Sequence, residues 1–305
     1  MATLWAGEHC GAQLAVLDQT TSAGPTYRWL CAGDAVLTVA QLEPAADAPS
    51  ARTRHAVPRF ASAAGALLPA YHRAMIAALA LSPTPPRAFL LAGCAGGALA
   101  RCLGALHPRT RLTGLEPDGT VRELGARFFG ARPSRRFALR SDGLLDHLRR
   151  CPRARCAADK PAVTHTCDLL IVPNPRYDAI FVDACELSDG SAPPGSLCTA
   201  DAIRAVRAPP SALLRREIAP TEMRHAVQVR RALTTAGGVL IINVHCRASR
   251  RARLLRAVRE EFSRDIVEIA TTEGNAVLVA HIGGRTEAVG AVRALGEFDV
   301  IAGSG

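Results

Sequence analysis

The sequence predicts an α/β protein: a doubly wound, Rossmann-like sheet of seven strands preceded by a small N-terminal β-hairpin unit. Three observations carry that expectation. Short runs apolar on both faces, Phe89-Leu90-Leu91, Ile180-Phe181-Val182 and Val239 to Ile242, suit parallel strands covered by helices on either side. Helix-like segments separate them, as alternating βαβ units require. Acids stand at successive strand ends, at Glu116, Asp142 and Asp183, on the edge where open α/β sheets place their ligands.

The elements follow in order. Residues 1 to 57 alternate apolar and polar around turns, as in Tyr27-Arg28-Trp29-Leu30 and Ala35 to Val39, and read as the hairpin unit, with Pro44 to Pro58 as linker. The larger unit is expected over 58–305. Tyr71 to Leu81 is an amphipathic helix stopped by Ser82-Pro83, and its Tyr71 and His72 are candidates for the border of an acceptor pocket or, equally, an ordinary packing face. The strand at Phe89 runs into Gly93-Cys94-Ala95-Gly96-Gly97 and a helix from Ala98, whose dipole points above that turn. A second strand ends on Glu116, placed to accept hydrogen bonds from both hydroxyls of a ribose.

Arg136 to Arg140 is a short strand delivering Ser141-Asp142-Gly143, with Asp142 a candidate partner for an adenine amino group. A strand over Tyr177 to Val182 delivers Asp183, the main catalytic candidate. A plainer reading of any one such acid is a helix cap or loop carboxylate. Three of them in register favour a ligand site. The close is a turn at Gly237-Gly238, the strand from Val239, an arginine-studded helix from Ser249 to Phe262, and a hairpin-like pair, Ile266 to Ile269 and Ala276 to His281. Two stretches read as insertions: basic Arg149 to Pro175, and proline-rich Ser188 to Pro210 at the acceptor edge.

The turn also discriminates between nucleoside cofactors. A dinucleotide fingerprint wants G-x-G-x-x-G, which Gly93 to Gly97 does not provide. No G-x-x-x-x-G-K-S/T string exists for a triphosphate, Lys160 being the only lysine in the chain. S-adenosyl-L-methionine fits better than either.

Composition narrows the remaining classes. No apolar run is long enough to span a membrane, and the start MATLWAGEHC resembles no secretory signal, so a cytoplasmic protein with no membrane partner is expected. Among the ten cysteines, Cys151, Cys156 and Cys167 lie close together but match no C-x-x-C zinc spacing, and no metal is expected. The net charge of +10 is carried almost wholly by arginine. With aromatics at 4%, platforms for stacking bases are scarce, and nucleic acid is not the expected main substrate.

The helix YHRAMIAALAL, the turn leading to LEPD, the SDG after the third strand, YDAIFVDACE and GGVLIINVHCR, in that order, resemble the spermidine-synthase-like branch of S-adenosylmethionine-dependent methyltransferases. Within it the chain is most similar to the methyltransferase-like protein 13 family, whose C-terminal domain methylates the N-terminus of translation elongation factor 1-alpha. The resemblance runs from about Tyr27 to His281. It implies a seven-stranded methyltransferase sheet, cofactor contacts from Gly93, Ala95, Gly96, Gly97, Glu116 and Asp183, and an adenine-side role for Asp142 and Gly143. It also implies methyl transfer to a protein amine, with Asp183 and Glu186 as catalytic carboxylates and elongation factor 1-alpha as a protein substrate. The family turn reads G-L-G-G-G, whereas Ala95 stands third here. Polyamine synthases carry D-x-x-D where this chain has Asp183 and Glu186. An inactive scaffold and a polyamine-type aminopropyltransferase are therefore the competing readings.

Overall fold

The first forty residues, which alternate apolar and polar around turns, form an antiparallel sheet, as a ribbon with one buried face should. In the computed structural model, which describes residues 1–22, 24–43, 60, 69–82, 85–150, 177–186, 192–194, 233, 238–262, 266–272, 274–281 and 299–302, β1 (Ala2–His9), β2 (Ala12–Thr20), β3 (Thr26–Ala32) and β4 (Ala35–Gln41) pair in sequence order. Leu14 and Val16 of β2 face inward opposite Ala32 and Leu30 of β3. Leu14, Val16 and Leu30 are fully buried, each contributing about 1.5–3 kcal/mol of transfer free energy. The expected hairpin unit is thus a complete four-stranded sheet. The expected linker at Pro44 to Pro58 lies outside the described residues, as do residues 151–175 of the first insertion and all but 192–194 of the second.

The helix expected over Tyr71 to Leu81 is present with a change of pitch: α1 (Ala70–Ala77) tightens into a 3₁₀ turn, Ala78–Leu81, before Ser82 adopts extended backbone ahead of Pro83. Then come β5 (Ala88–Ala92), α2 (Ala98–Leu106), β6 (Arg111–Leu115), α3 (Gly119–Phe128), β7 (Phe137–Arg140), α4 (Leu144–Arg150), β8 (Ala179–Val182), β9 (Val239–Val244), α5 (Ala248–Phe262), β10 (Ile266–Ala270), β11 (Ala276–His281) and β12 (Asp299–Ala302). The large sheet is ordered β12-β10-β11-β9-β8-β5-β6-β7. β7, β6, β5, β8 and β9 run parallel, and β11, β10 and β12 add antiparallel pairs at one side. The seven expected strands are all there. β12 is an eighth, laid along β10 with Ile269 opposite Val300.

The central strands are buried on both faces, and their side chains divide between two cores. Phe89, Leu91, Phe181 and Ile241 join residues of α1, α2 and the N-terminal sheet on one face. Leu90, Ile180, Leu240 and Ile242 meet α4 and α5 on the other. Among the described residues no helix is long and apolar enough to cross a membrane. The chain leaves β5 in one direction toward β6 and β7 and returns on its other side at β8, so the topological switch lies between β5 and β8. Any ligand of this fold belongs above that pair.

Buried polar groups tie the small sheet to the large one. Arg28 of β3, 8% exposed, donates from Nε and Nη2 to the two carboxylate oxygens of Asp18 at 2.7 Å each, and from Nη1 to the Phe128 carbonyl at the end of α3, 2.9 Å away. Arg28→Met keeps the stem but strands the Asp18 carboxylate and a carbonyl. It should lower the free energy of unfolding by about 2–3 kcal/mol in urea titrations.

Candidate cofactor and acceptor site

The turn after β5 is built by its own internal bonds. Gly93 has φ +85°, and a Cβ there would lie 2.5 Å from the Asp183 carbonyl oxygen and 2.6 Å from the Ala184 backbone. The ends of β5 and β8 therefore touch at this residue, and only glycine permits it. The Gly93 amide donates to the Leu115 carbonyl (2.9 Å), Ala95 to Glu116 Oε2 (3.0 Å), Gly96 to Thr38 Oγ1 (2.9 Å) and Gly97 to the Cys94 carbonyl (2.7 Å). A phosphate-binding turn keeps such amides free for the ligand. Here they are spent on protein acceptors, which suits a nucleoside without phosphates.

Glu116 follows β6 and is 9% exposed. Besides the Ala95 amide, it accepts the Asp118 amide at Oε1, 3.2 Å away. A carboxylate has about four lone-pair sites, so the ones left over can take further hydroxyl donors. Burial, partly offset by these amides, raises its pKa above the ordinary 4.5. Cys94 lies within the turn, and burial, with the Glu116 carboxylate adding to it, pushes its thiol up to about 12.

Asp183 follows β8 at the floor of a cleft of about 730 Å³ between the N-terminal sheet and the carboxyl edge of the large one. Tyr71, Asn243, His245, Asn275 and Asp34 line the same space. Both Asp183 oxygens are fixed. His72 Nε2, from α1, is 2.7 Å from Oδ2, and Asn243 Nδ2 donates to Oδ1 at 3.1 Å. Asn275 Nδ2 in turn donates to Asn243 Oδ1 at 3.0 Å. His72 is 3% exposed and Asn243 4%, so the chain of bonds runs through low-dielectric surroundings, where it holds the carboxylate in one orientation.

The remaining expected residues divide. Asp142 lies at the end of β7, with His147 Nδ1 3.6 Å from its carboxylate and His147 Nε2 2.9 Å from the Tyr177 hydroxyl. Gly143 beside it has room for a Cβ, the nearest atom being 4.0 Å away. Glu186 is not brought to the cleft with Asp183: it pairs with Arg250 Nη1 of α5 at 3.5 Å and is not among the cleft-lining residues. The cleft meets Asp183 but none of the turn glycines.

Four contributors escaped the sequence reading. Thr38 reaches the turn from the middle of β4, where a threonine is an ordinary strand residue. Asn243 and Asn275 are marked only by polarity within apolar strands or turns. Arg101 of α2 braces the turn from behind, its Nη1 donating to the carbonyls of Gly96 (3.1 Å) and Phe129 (2.9 Å) while its guanidinium lies 4.5 Å from the centre of the Phe60 ring. Burial lowers its pKa to about 10.

By sequence, no protein-family model and no curated protein matches the chain. Solved structures match by fold. Human methyltransferase-like protein 13 in complex with SAH superimposes with a TM-score of 0.51 at 20% identity, over 73% of this chain and 88% of that one. A probable spermidine synthase from Corynebacterium glutamicum gives 0.63 at 14% identity, over 98% and 90%. Spermidine synthase from Thermotoga maritima gives 0.53 at 12%, over 94% and 74%. The chain has the Rossmann-like methyltransferase fold with an added N-terminal sheet of hairpins.

Ala95 occupies the left-handed region at φ +38°, a conformation that costs a non-glycine residue about 1 kcal/mol or more. Ala95→Gly should raise the unfolding midpoint slightly, by about 0.5–1 kcal/mol in free energy. Gly93→Ala, which drives a methyl into the Asp183 backbone, should lose more than about 2 kcal/mol by the same denaturation assay.

Proposed function

We propose that this chain is an S-adenosylmethionine-dependent transferase that methylates a protein amine, either an N-terminal amine or a lysine. The observation that carries the reading is the Asp183 carboxylate, fixed at both oxygens on the floor of an open cleft and seated at the β5/β8 switch point. The neighbour bound to SAH supports the choice of cofactor, as does a turn in which the amides of Gly93, Ala95, Gly96 and Gly97 are already paired within the protein.

The residues present fit that group. Glu116 retains acceptor capacity for the two ribose hydroxyls, and Asp142 stands one strand further out for the adenine side. Gly93, Ala95, Gly96 and Gly97 keep the turn low beneath the methionine portion. When bound, the cofactor supplies a methyl group on a positively charged sulfur. Asp183 orients the acceptor amine and takes up the proton it loses, with His72 and Asn243 holding the carboxylate still. Tyr71 borders the space the acceptor would occupy. The methyltransferase-like protein 13 resemblance makes elongation factor 1-alpha the first acceptor to offer, in a cytoplasmic setting.

Aminopropyl transfer to a polyamine is the second reading, favoured by spermidine synthases that cover 94–98% of the chain, N-terminal sheet included. Against it, Glu186 is paired to Arg250 and so does not supply the second acid that a diamine needs. An inactive scaffold is the third reading, with the strained Ala95 in its favour.

Calorimetry with S-adenosylmethionine separates these readings: saturable one-to-one binding is expected, and its absence sinks both enzymatic ones. Methyl transfer to elongation factor 1-alpha from labelled cofactor should fall about 10²–10⁴-fold in Asp183→Ala with cofactor affinity largely retained. Turnover of decarboxylated cofactor with putrescine would instead establish the polyamine reading.

Acid should also weaken cofactor binding. The ribose needs the ionised form of Glu116, whose pKa is raised above 4.5 by burial, so affinity should drop as pH falls through that raised value, earlier than an ordinary glutamate would dictate. Glu116→Gln should flatten the pH profile while binding weakly throughout. For stability the sign reverses: a raised carboxyl favours the fold below its ordinary pKa, and that contribution disappears as pH rises through the folded value.

A further inference from the structure

At the tip of the β1–β2 hairpin, Cys10 and Gly11 make a two-residue turn with φ +51° and +75°. Turns of this hand favour asparagine, aspartate or glycine at the first position, because a Cβ is strained there. The backbone gives cysteine no advantage at this place, so the reason for the thiol must lie in what it faces. It faces His9 and Asp118. Cys10 Sγ is 3.4 Å from His9 Nε2, which is 2.7 Å from Asp118 Oδ2, and the three atoms lie within 4.8 Å of one another.

We propose that His9, Cys10 and Asp118 form a divalent metal site of the zinc type. Thiolate, imidazole and carboxylate are a borderline-soft set that suits Zn²⁺, with water as fourth ligand. Zinc–ligand bonds of about 2.0–2.3 Å in a tetrahedron put neighbouring donor atoms about 3.3–3.6 Å apart. The Cys10–His9 separation already meets this. The His9–Asp118 pair, now a hydrogen bond, opens by about half an ångström to admit the ion.

The outer shell is in place as well. His9 Nδ1 is 3.2 Å from Thr120 Oγ1, which fixes the ring so that Nε2 is the ligating nitrogen. Asp118 Oδ1 accepts the Val121 amide as the N-cap of α3, leaving Oδ2 for the metal. The cysteine spacing that argues against zinc in the basic insertion has no bearing on this cluster, whose His9 and Asp118 are 109 positions apart in sequence. Binding displaces the Cys10 thiol proton to solvent and clamps the hairpin tip to the loop that follows Glu116.

The site is tested on the full chain with Co²⁺ and Zn²⁺ alone. One equivalent of Co²⁺ should produce a sulfur-to-cobalt charge-transfer band with tetrahedral visible absorption, and Zn²⁺ should bleach it. Cys10 is exposed, so Cys10→Ser should fold normally yet lose the band. Thr120→Val should keep the band and weaken Zn²⁺ about tenfold in competition with a chelating dye. Zn²⁺ should raise the thermal midpoint of the wild type and not that of Cys10→Ser. The proposal is overturned if wild type binds neither ion stoichiometrically, or if the band and affinity are the same in Cys10→Ser, which would place the metal on others of the ten cysteines.

Discussion

Everything at the ligand edge depends on the ends of β5 and β8 pressing together at Gly93. The Asp183 carbonyl and the Ala184 backbone fill the space a side chain would need. That contact sets where the glycine turn begins and, through the same peptide, where the Asp183 side chain emerges. Turn and carboxylate are one rigid piece, their relative position fixed by van der Waals contact between backbones. A β-carbon at residue 93 would not merely crowd a ligand; it would separate the two strand ends that define the switch point.

The N-terminal sheet is the second half of the same construction. Thr38 satisfies the Gly96 amide, Arg28 holds the end of α3, and His9 meets the N-cap of α3. Each bond joins the small sheet to the glycine turn or to the helix that follows Glu116. The cleft over Asp183 exists because this sheet stands across it, with Asp34 and Val36 on one wall and Asn243 and His245 on the other.

Much of this could be read from the chain. Phe89 to Leu91, Ile180 to Val182 and Val239 to Ile242 are apolar at every position, and only a strand covered on both faces buries such a run. Glu116, Asp142 and Asp183 stood out because each interrupts that pattern at a strand end. What escaped the reading depends on distance in space. Nothing local tells that Thr38 will face Gly96, or that Glu186 will find Arg250 and leave the cleft. β12 is four residues long and stands well beyond the last apolar run, so its pairing with β10 has no signature of its own. The hydroxyl, amide and guanidinium groups that finish the site are chosen by tertiary contacts.

Cys94 lies at the heart of the turn, with its sulfur against the backbone of Gly114 and its ionisation suppressed to about 12. Since the thiolate is the species that attacks peroxide, burial and the raised pKa slow the reaction of this sulfur with oxidants at neutral pH. Cys94 therefore acts as a small apolar filler, set apart from Cys185, which is partly exposed and lines the cleft beside Asp183.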